Sequence, residues 1–495
     1  MKVIKRDGRV VDYDKTKVEI AIEKANKEVI EENEKANKED IKKITNYIEK
    51  LGRKRILVED IQDIIEQKLM EIGKYELAKK YIVYRYTRAL VRKSNTTDET
   101  ILGLIRNQNK EGKNSIDVSS QRDFIAGEVS KDLTKRLLLP EKISKANEGG
   151  VLYFHYSDFF LQPIIGDCAT NIKDMLINGT VLNEVKIDNI QSFQNVCNII
   201  TQIIAQVGSN IYGTQYIDLS ILGRCLKQSK EKKRKEINEK LEKKVSQELI
   251  DEIIDDIIRK DLNEGISILK HQLKTLNTTR GKKANAIIYL DLNQEKEYLK
   301  ENLIIKQEIL SQMPEKLTEE KKKIIGKFSQ GIVSINLSQI AIMAEENEKV
   351  FYEMLEERLD LCKEALMCRH YQLLGTISDV SPILWQNGAI SRLKPSEKIN
   401  KLLLNKFSSL SLGYIGTKEV AEIMKKKNTE EEKNEFILNL LKKLKETIEK
   451  WKKETNIEFV LDGHPPEDVK YKFAKKDKER FGTIKNVTDK GYYTN

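Results

Sequence analysis

Apolar residues recur three and four apart along much of this chain, so most of it reads as helix, with short alternating runs that read as strands. In VIKRDGRVVDYDKTKVEIAIEKA a strand from Val3 meets a second strand, Val10 to Tyr13, across Asp7-Gly8. Asp14 then caps a helix with Val18, Ala21, Ile22 and Ala25 on one face. Ile61, Ile64, Ile65, Leu69 and Ile72 mark another helix, and YELAKKYIVYRYTRALVRK a further one. These elements make a small α+β domain, residues 1–94, followed by the polar linker SNTTDET. The remainder, 95–495, is a second and larger domain.

That larger domain begins with the helix SSQRDFIAGEVSKDLTKRLLL, stopped by Pro140. The strand GGVLYFHYSD and the apolar helix SFQNVCNIITQIIAQVGSNIYG follow. Residues 228–265 read as one charged helical segment whose Ile237, Leu241, Val245, Leu249, Ile253 and Ile257 form a stripe for packing on the body or on an identical partner. The strand-like runs NAIIYLDL, GIVSINL, SSLSLGYIG and IEFVLDG then alternate with long helices. The class is α/β, and periodicity leaves open sheet and barrel both available.

Composition narrows the function. Across 495 residues, 88 basic and 78 acidic side chains leave a net charge of +10. Stretches such as KEKKRKEINEKLEKK interleave both signs, as solvated helix faces do, so no direct nucleic-acid partner is expected. No apolar run is long enough to cross a bilayer and the start MKVIKRDGRV is charged, so a cytoplasmic protein without a membrane partner is expected. Five cysteines without framework spacing suit a reducing compartment. There is no CxxC pair, HExxH, Walker loop or dinucleotide glycine pattern.

The candidate chemistry is sparse. Lys5, Arg6 and Lys17 converge if the hairpin folds back on the first helix, where they either hold a triphosphate or are ordinary surface charge. Cys168 follows Asp167; a carboxylate raises a thiol pKa, which disfavours a thiolate nucleophile but not hydrogen-atom chemistry, and a structural cysteine remains the alternative. His155 ends a strand, where ligand groups project, or is a satisfied structural histidine. His370 and His464 have no visible nucleophile partner, and Cys362 and Cys368 are spaced onto different helix faces. Gly413 and Gly416 allow close backbone approach to a ligand, or a tight turn.

With these residues in view, the chain resembles the anaerobic, glycyl-radical ribonucleoside-triphosphate reductases. VIKRDGRVVDYDKTKV is similar to the ATP-cone, a domain that senses ATP against dATP, and the match implies that Val3, Lys5, Arg6 and Lys17 contact the nucleotide. SSQRDFIAGEVSKDL, IKDMLINGT, TQIIAQVGSNIYG, GKFSQGIVSINL, SDVSPILWQNGAISRL, SLGYIGTKEV and FGTIKNVTDKGYYTN resemble family blocks in the family's order. The resemblance implies a ten-stranded α/β barrel, a homodimer, a ribonucleoside triphosphate substrate, and a separate activase using S-adenosylmethionine and an iron-sulfur cluster. A glycyl radical makes a thiyl radical on a finger cysteine, a second cysteine faces it across the substrate, and formate or a thiol system reduces. Cys168 stands in the block of that second cysteine.

The chain departs from the family at several places. The finger block, like MGCRSFL, is replaced by the short charged SQMPEKLTEEKKKII, which has no cysteine. The zinc cysteines and the glycyl-radical motif have no matching segment after KGYYTN. Ser329 stands for an asparagine expected near substrate, and Tyr156 for an aspartate. The expectation is an incomplete barrel whose isolated chain does not turn over; the alternatives are a nucleotide-sensing protein or a split-enzyme partner of a complete reductase.

Overall fold

The computed structural model describes residues 2–4, 10–51, 55–86, 118–188, 192–241, 246–293, 296–314, 317, 327–426, 428–465 and 467–495. Lys5, Arg6 and the Asp7-Gly8 turn lie outside the described residues, as do the linker and most of the block that replaces the finger. Two compact units emerge, residues 1–108 with 479–482, and residues 109–478 with 483–495.

In the first unit, β1 (Lys2–Ile4) pairs antiparallel with β2 (Val10–Asp12), Val3 opposite Val11, as the hairpin reading requires. β3 (Arg55–Leu57) adds in parallel on the other side of β1, an element three residues long and too short for alternation to reveal. Helix Lys15–Asn26 buries Val18, Ile22 and Ala25, and helix Val58–Glu71 buries Ile61, Ile65 and Leu69. These join Ile44 and Ile48 of helix Lys38–Lys50 in one core, each buried Val, Ile or Leu contributing about 1.5–3 kcal/mol by burial.

The second unit is built on seven strands. These are β4 (Leu152–Phe154), β5 (Cys168–Thr170), β8 (Gln215–Asp218), β9 (Ala286–Tyr289), β10 (Phe328–Asn336), β11 (Ser408–Ile415) and β12 (Glu458–Asp462). A separate hairpin of β6 (Thr180–Leu182) and β7 (Val185–Ile187) stands apart from them. The order β12-β11-β10-β5-β8-β9 has two parallel halves, β5-β8-β9 and β10-β11-β12, that meet antiparallel where Phe328 faces Cys168. β4 pairs antiparallel with the far end of β10. Helices pack on both halves: Phe193–Ser209 and Gln247–Thr275 on the first, Glu348–Leu373 and Glu430–Thr455 on the second. The α/β class stands; among the described residues the path is open at β12 and β9, seven strands rather than a closed ten-stranded barrel.

The charged segment 228–265 is not the single helical segment expected from sequence. It is two helices, Ile221–Leu241 and Gln247–Thr275, and the second buries Ile250, Ile254, Ile258, Leu262, Ile266 and Leu269. Leu249 and Ile253 of the expected stripe are exposed, Ile257 is half-buried, and Val245 lies outside the described residues.

Candidate functional site

A cavity of about 800 Å³ opens in the second unit. Helix Val118–Leu133, the turn that follows β4, and the loop before β9 bring its polar and aromatic groups together. Tyr156 and Phe159 from the turn pack on Tyr212, with ring centroids 4.6 and 5.6 Å apart. The Arg280 guanidinium carbon lies 5.2 Å from the Phe159 ring centroid, and Lys282 Nζ 4.1 Å from that of Phe124. Arg280 is oriented by its own hydrogen bonds, Nη2 donating to the carbonyls of Gly208 at 2.8 Å and Ile211 at 2.6 Å. Lys282 also pairs with Asp123 at 3.3 Å. Flat apolar faces interleaved with cations suit a ligand that has both a planar ring and negative charge.

His155, at the end of β4, lines this cavity. Its Nε2 lies 2.7 Å from Ser334 Oγ and its ring meets Tyr153 edge-on at 4.8 Å. Burial, then the positive charge of Arg369 and Lys472, drives its pKa down to about 3, so the ring is neutral at physiological pH. The folded value lies below the unfolded value near 6.5, so the contribution to stability is complete above pH 6.5 and is lost as pH falls from there toward 3. Lowering the pH from 7 to 5 is expected to cost about 2 kcal/mol through this group, a slope that His155→Gln removes. Urea titrations followed by tryptophan fluorescence check it, since Trp385 and Trp451, the only tryptophans, both lie in the second unit.

Cys168 is fully buried on β5 and packs with Ile165 and Ile172 in the core; it is absent from the cavity lining. Thr170 Oγ1 donates to Gln215 Oε1 at 3.2 Å, so it accepts from the Cys168 thiol at 3.7 Å. Burial pushes that thiol up to about 12, Asp167 adding in the same direction, which keeps the S–H intact. Asp167 turns the other way, its Oδ1 accepting the Thr214 N–H at 2.7 Å. Ser329 is joined to the same place through backbone bonds, its N–H donating to the Asp167 carbonyl at 2.8 Å. A Cβ built on Gly166 would lie 3.3 Å from both Ser329 Cβ and Tyr212 Oη, so Ser329 borders the aromatic wall of the cavity.

In the first unit Val3 is buried in the domain core and Lys17 is largely exposed, 3.6 Å from Asp14. Asp14 accepts the Thr16 N–H at 3.0 Å and so takes an amide of the helix N-terminus that an anion would otherwise use. Any phosphate there must therefore rely on cations, of which Lys17 alone among those named is described.

The other candidates are structural. Gln330 Nε2 donates to the Leu403 carbonyl, which leaves its Oε1 to accept from His370 Nδ1 at 2.9 Å. His464 is exposed in a turn, its N–H bonded to Asp462. A Cβ at Gly413 would strike Ser334 Oγ and one at Gly416 would strike Ser338 Oγ, so both glycines admit neighbouring side chains. Cys362 is buried in the core of the β10-β11-β12 half and Cys368 lies at its edge. The residues missed from sequence are Tyr212, Arg280, Lys282 and Arg369. Gly331 inside β10 was the one available signal, since a glycine in a strand marks close approach.

The fold is shared with the anaerobic ribonucleotide reductase of Thermotoga maritima with dATP bound in the specificity site: TM-score 0.56, 14% identity, 81% of each chain covered. Two family models match this sequence, Anaerobic ribonucleoside-triphosphate reductase over residues 107–325 and 316–495, and ATP cone domain over residues 1–90. The chain belongs to the anaerobic ribonucleoside-triphosphate reductase family, whose members are oxidoreductases, and carries an ATP-cone. It is 29% identical to the enzyme of that name from Haemophilus influenzae over 579 aligned positions, covering all of this chain and 81% of the relative. The Escherichia coli enzyme is 27% identical over 582 positions, again with all of this chain and 80% of the relative. Because the match runs through the body as well as the cone, it favours nucleotide reduction under allosteric control over a protein that only senses nucleotide.

Proposed function

We propose that the 800 Å³ cavity of the second unit receives a ribonucleoside triphosphate for reduction to the deoxyribonucleotide, under ATP and dATP control at the cone. The observation that carries this reading is the alternation of stacked aromatics and cations, Tyr156, Phe159 and Phe124 with Arg280 and Lys282, in a cavity of nucleotide size. Cys168 is the thiol we assign to the reaction. It pairs across the sheet with Phe328, the residue before Ser329, and its S–H remains protonated, the state a hydrogen-atom donor needs.

Family membership supports the remaining assignments: a homodimer, a cytoplasmic setting, and a radical-forming activase that uses S-adenosylmethionine. A glycyl radical supplies the oxidising equivalent in this chemistry; no residue of this sequence is assigned to it or to zinc. At least 84 positions within the alignment to the Haemophilus influenzae enzyme, 579 against 495, have no counterpart here. The block at 311–325 contains no cysteine, so nucleotide binding without turnover by the isolated polypeptide is the expected behaviour.

The cone is placed at 1–94 and its nucleotide contacts at Val3, Lys5, Arg6 and Lys17. Calorimetric titration is expected to show saturable ATP and dATP binding, weakened about fivefold or more by Lys5→Ala or Arg6→Ala. Failure of both nucleotides to bind would remove the regulatory reading.

A further inference from the structure

Ten buried side-chain polar atoms lack a hydrogen-bond partner among the described residues; two of them, Arg280 Nε and Ser130 Oγ, belong to residues that line the cavity, and three more belong to Tyr212 (Oη), which packs on the cavity's Tyr156 and Phe159, and to its neighbour Arg369 (Nε and Nη2). Each belongs to an N–H or O–H group able to donate. A buried donor left unpaired costs about 1–3 kcal/mol, and more when charged, so five together call for a physical account.

Arg369 is the most demanding of them. It sits on helix Glu348–Leu373, is 3% exposed, and forms no ion pair with a carboxylate among the described residues. Its guanidinium carbon lies 4.0 Å from the Phe154 ring centroid and 5.4 Å from that of Phe160, rings that cannot accept a strong hydrogen bond. Gly331 is what lets it through, because a Cβ on that β10 residue would run into Arg369 Cδ. Nε and Nη2 lie on one edge of the guanidinium, the edge that grips a carboxylate or phosphoryl group through two parallel hydrogen bonds. Asp158 is close enough to act on Arg369 electrostatically without pairing, and its own pKa is raised by burial. Tyr212 lies against the same cation, its phenol oxygen turned toward the guanidinium N–H groups short of full hydrogen-bond geometry, and its own O–H has no acceptor among the described residues.

We infer that Arg369 and Tyr212 form a binding site for a small oxyanion, a carboxylate or a phosphoryl group, which accepts from Nε and Nη2 of Arg369 and from Tyr212 Oη. Ser329 borders the site through Gly166, and Tyr212 packs on Tyr156 and Phe159, which line the cavity. The two sources of such a group are a free small carboxylate and the phosphate of a nucleotide or of solution. This inference does not rest on nucleotide reduction, because anion binding is measurable in the full chain without turnover.

The test titrates the full chain, at ionic strength held constant with chloride, with carbon-13 formate, inorganic phosphate and a ribonucleoside triphosphate, following the first two by NMR relaxation and the third by calorimetry. At least one probe is expected to bind saturably, about tenfold more weakly in Arg369→Lys, which loses the fork, and about threefold more weakly in Tyr212→Phe. Binding of formate alone assigns the site to a small carboxylate; binding of phosphate and triphosphate assigns it to a phosphoryl group. If Arg369→Lys does not fold, Tyr212→Phe decides by the same criterion. Affinity unchanged in the folded variants, or no saturable binding of any probe up to tens of millimolar, overturns the inference.

Discussion

Asp477→Ala is expected to lower the unfolding free energy of the second unit by about 3–5 kcal/mol, read as a fall in the urea midpoint of tryptophan fluorescence. Asp477 is fully buried and accepts three hydrogen bonds: from Asn336 Nδ2 at 2.8 Å, Gln339 Nε2 at 2.6 Å and Tyr493 Oη at 2.9 Å. Asn336 and Gln339 lie where β10 runs into the helix Leu337–Ala344. Asn336 Nδ2 and Gln339 Nε2 also reach the carbonyls of Gly150 and Gly149, whereas the Tyr493 hydroxyl donates to Asp477. Alanine therefore strands a buried phenol and weakens two amides at once. Tyr493→Phe removes one donor from the same carboxylate and should cost about 1 kcal/mol. Equal effects of the two substitutions would mean that Asp477 is not the centre of the network.

Gly331→Ala carries the second large effect, a loss of about 2–4 kcal/mol, from two sources. The backbone there has φ +148°, a region that L side chains rarely adopt, and the added methyl meets Arg369 Cδ. Combining it with Arg369→Ala separates the two, since the steric part vanishes and the backbone part remains. The double variant is thus expected to cost less than the sum of the singles in urea unfolding. Strict additivity would show that Arg369 does not cross the strand at this point.

Long elements with one clear apolar face were legible in the sequence. Helices Lys15–Asn26, Phe193–Ser209 and Glu348–Leu373, and strands β9 to β12, form where periodicity puts them. The segment Leu249 to Ile258 was not, for a specific reason. Its apolar residues come in adjacent pairs, Leu249-Ile250, Ile253-Ile254 and Ile257-Ile258, so two stripes one residue apart fit equally well and only tertiary contact selects the second. β5 and β8 have three and four residues, too few for alternation to register. At the site, family blocks pointed to Cys168, but nothing local could reveal that Arg369 and Tyr212 would be buried without partners. That property depends on Gly331, Phe154 and Gly166, which come from three separate parts of the chain.

The proposed cavity site gives the body a nucleotide of its own, apart from the one proposed for the cone. Calorimetry of the full chain with ATP and with a second ribonucleoside triphosphate, in wild type, in Lys5→Ala/Arg6→Ala and in Lys131→Ala/Lys282→Ala, tests it most directly. Two classes of site are expected, one weakened about fivefold or more by the cone substitutions and the other by removing Lys131 and Lys282, two of the three lysines that line the cavity. Nucleotide binding that disappears entirely with the cone substitutions and ignores the cavity lysines would contradict it.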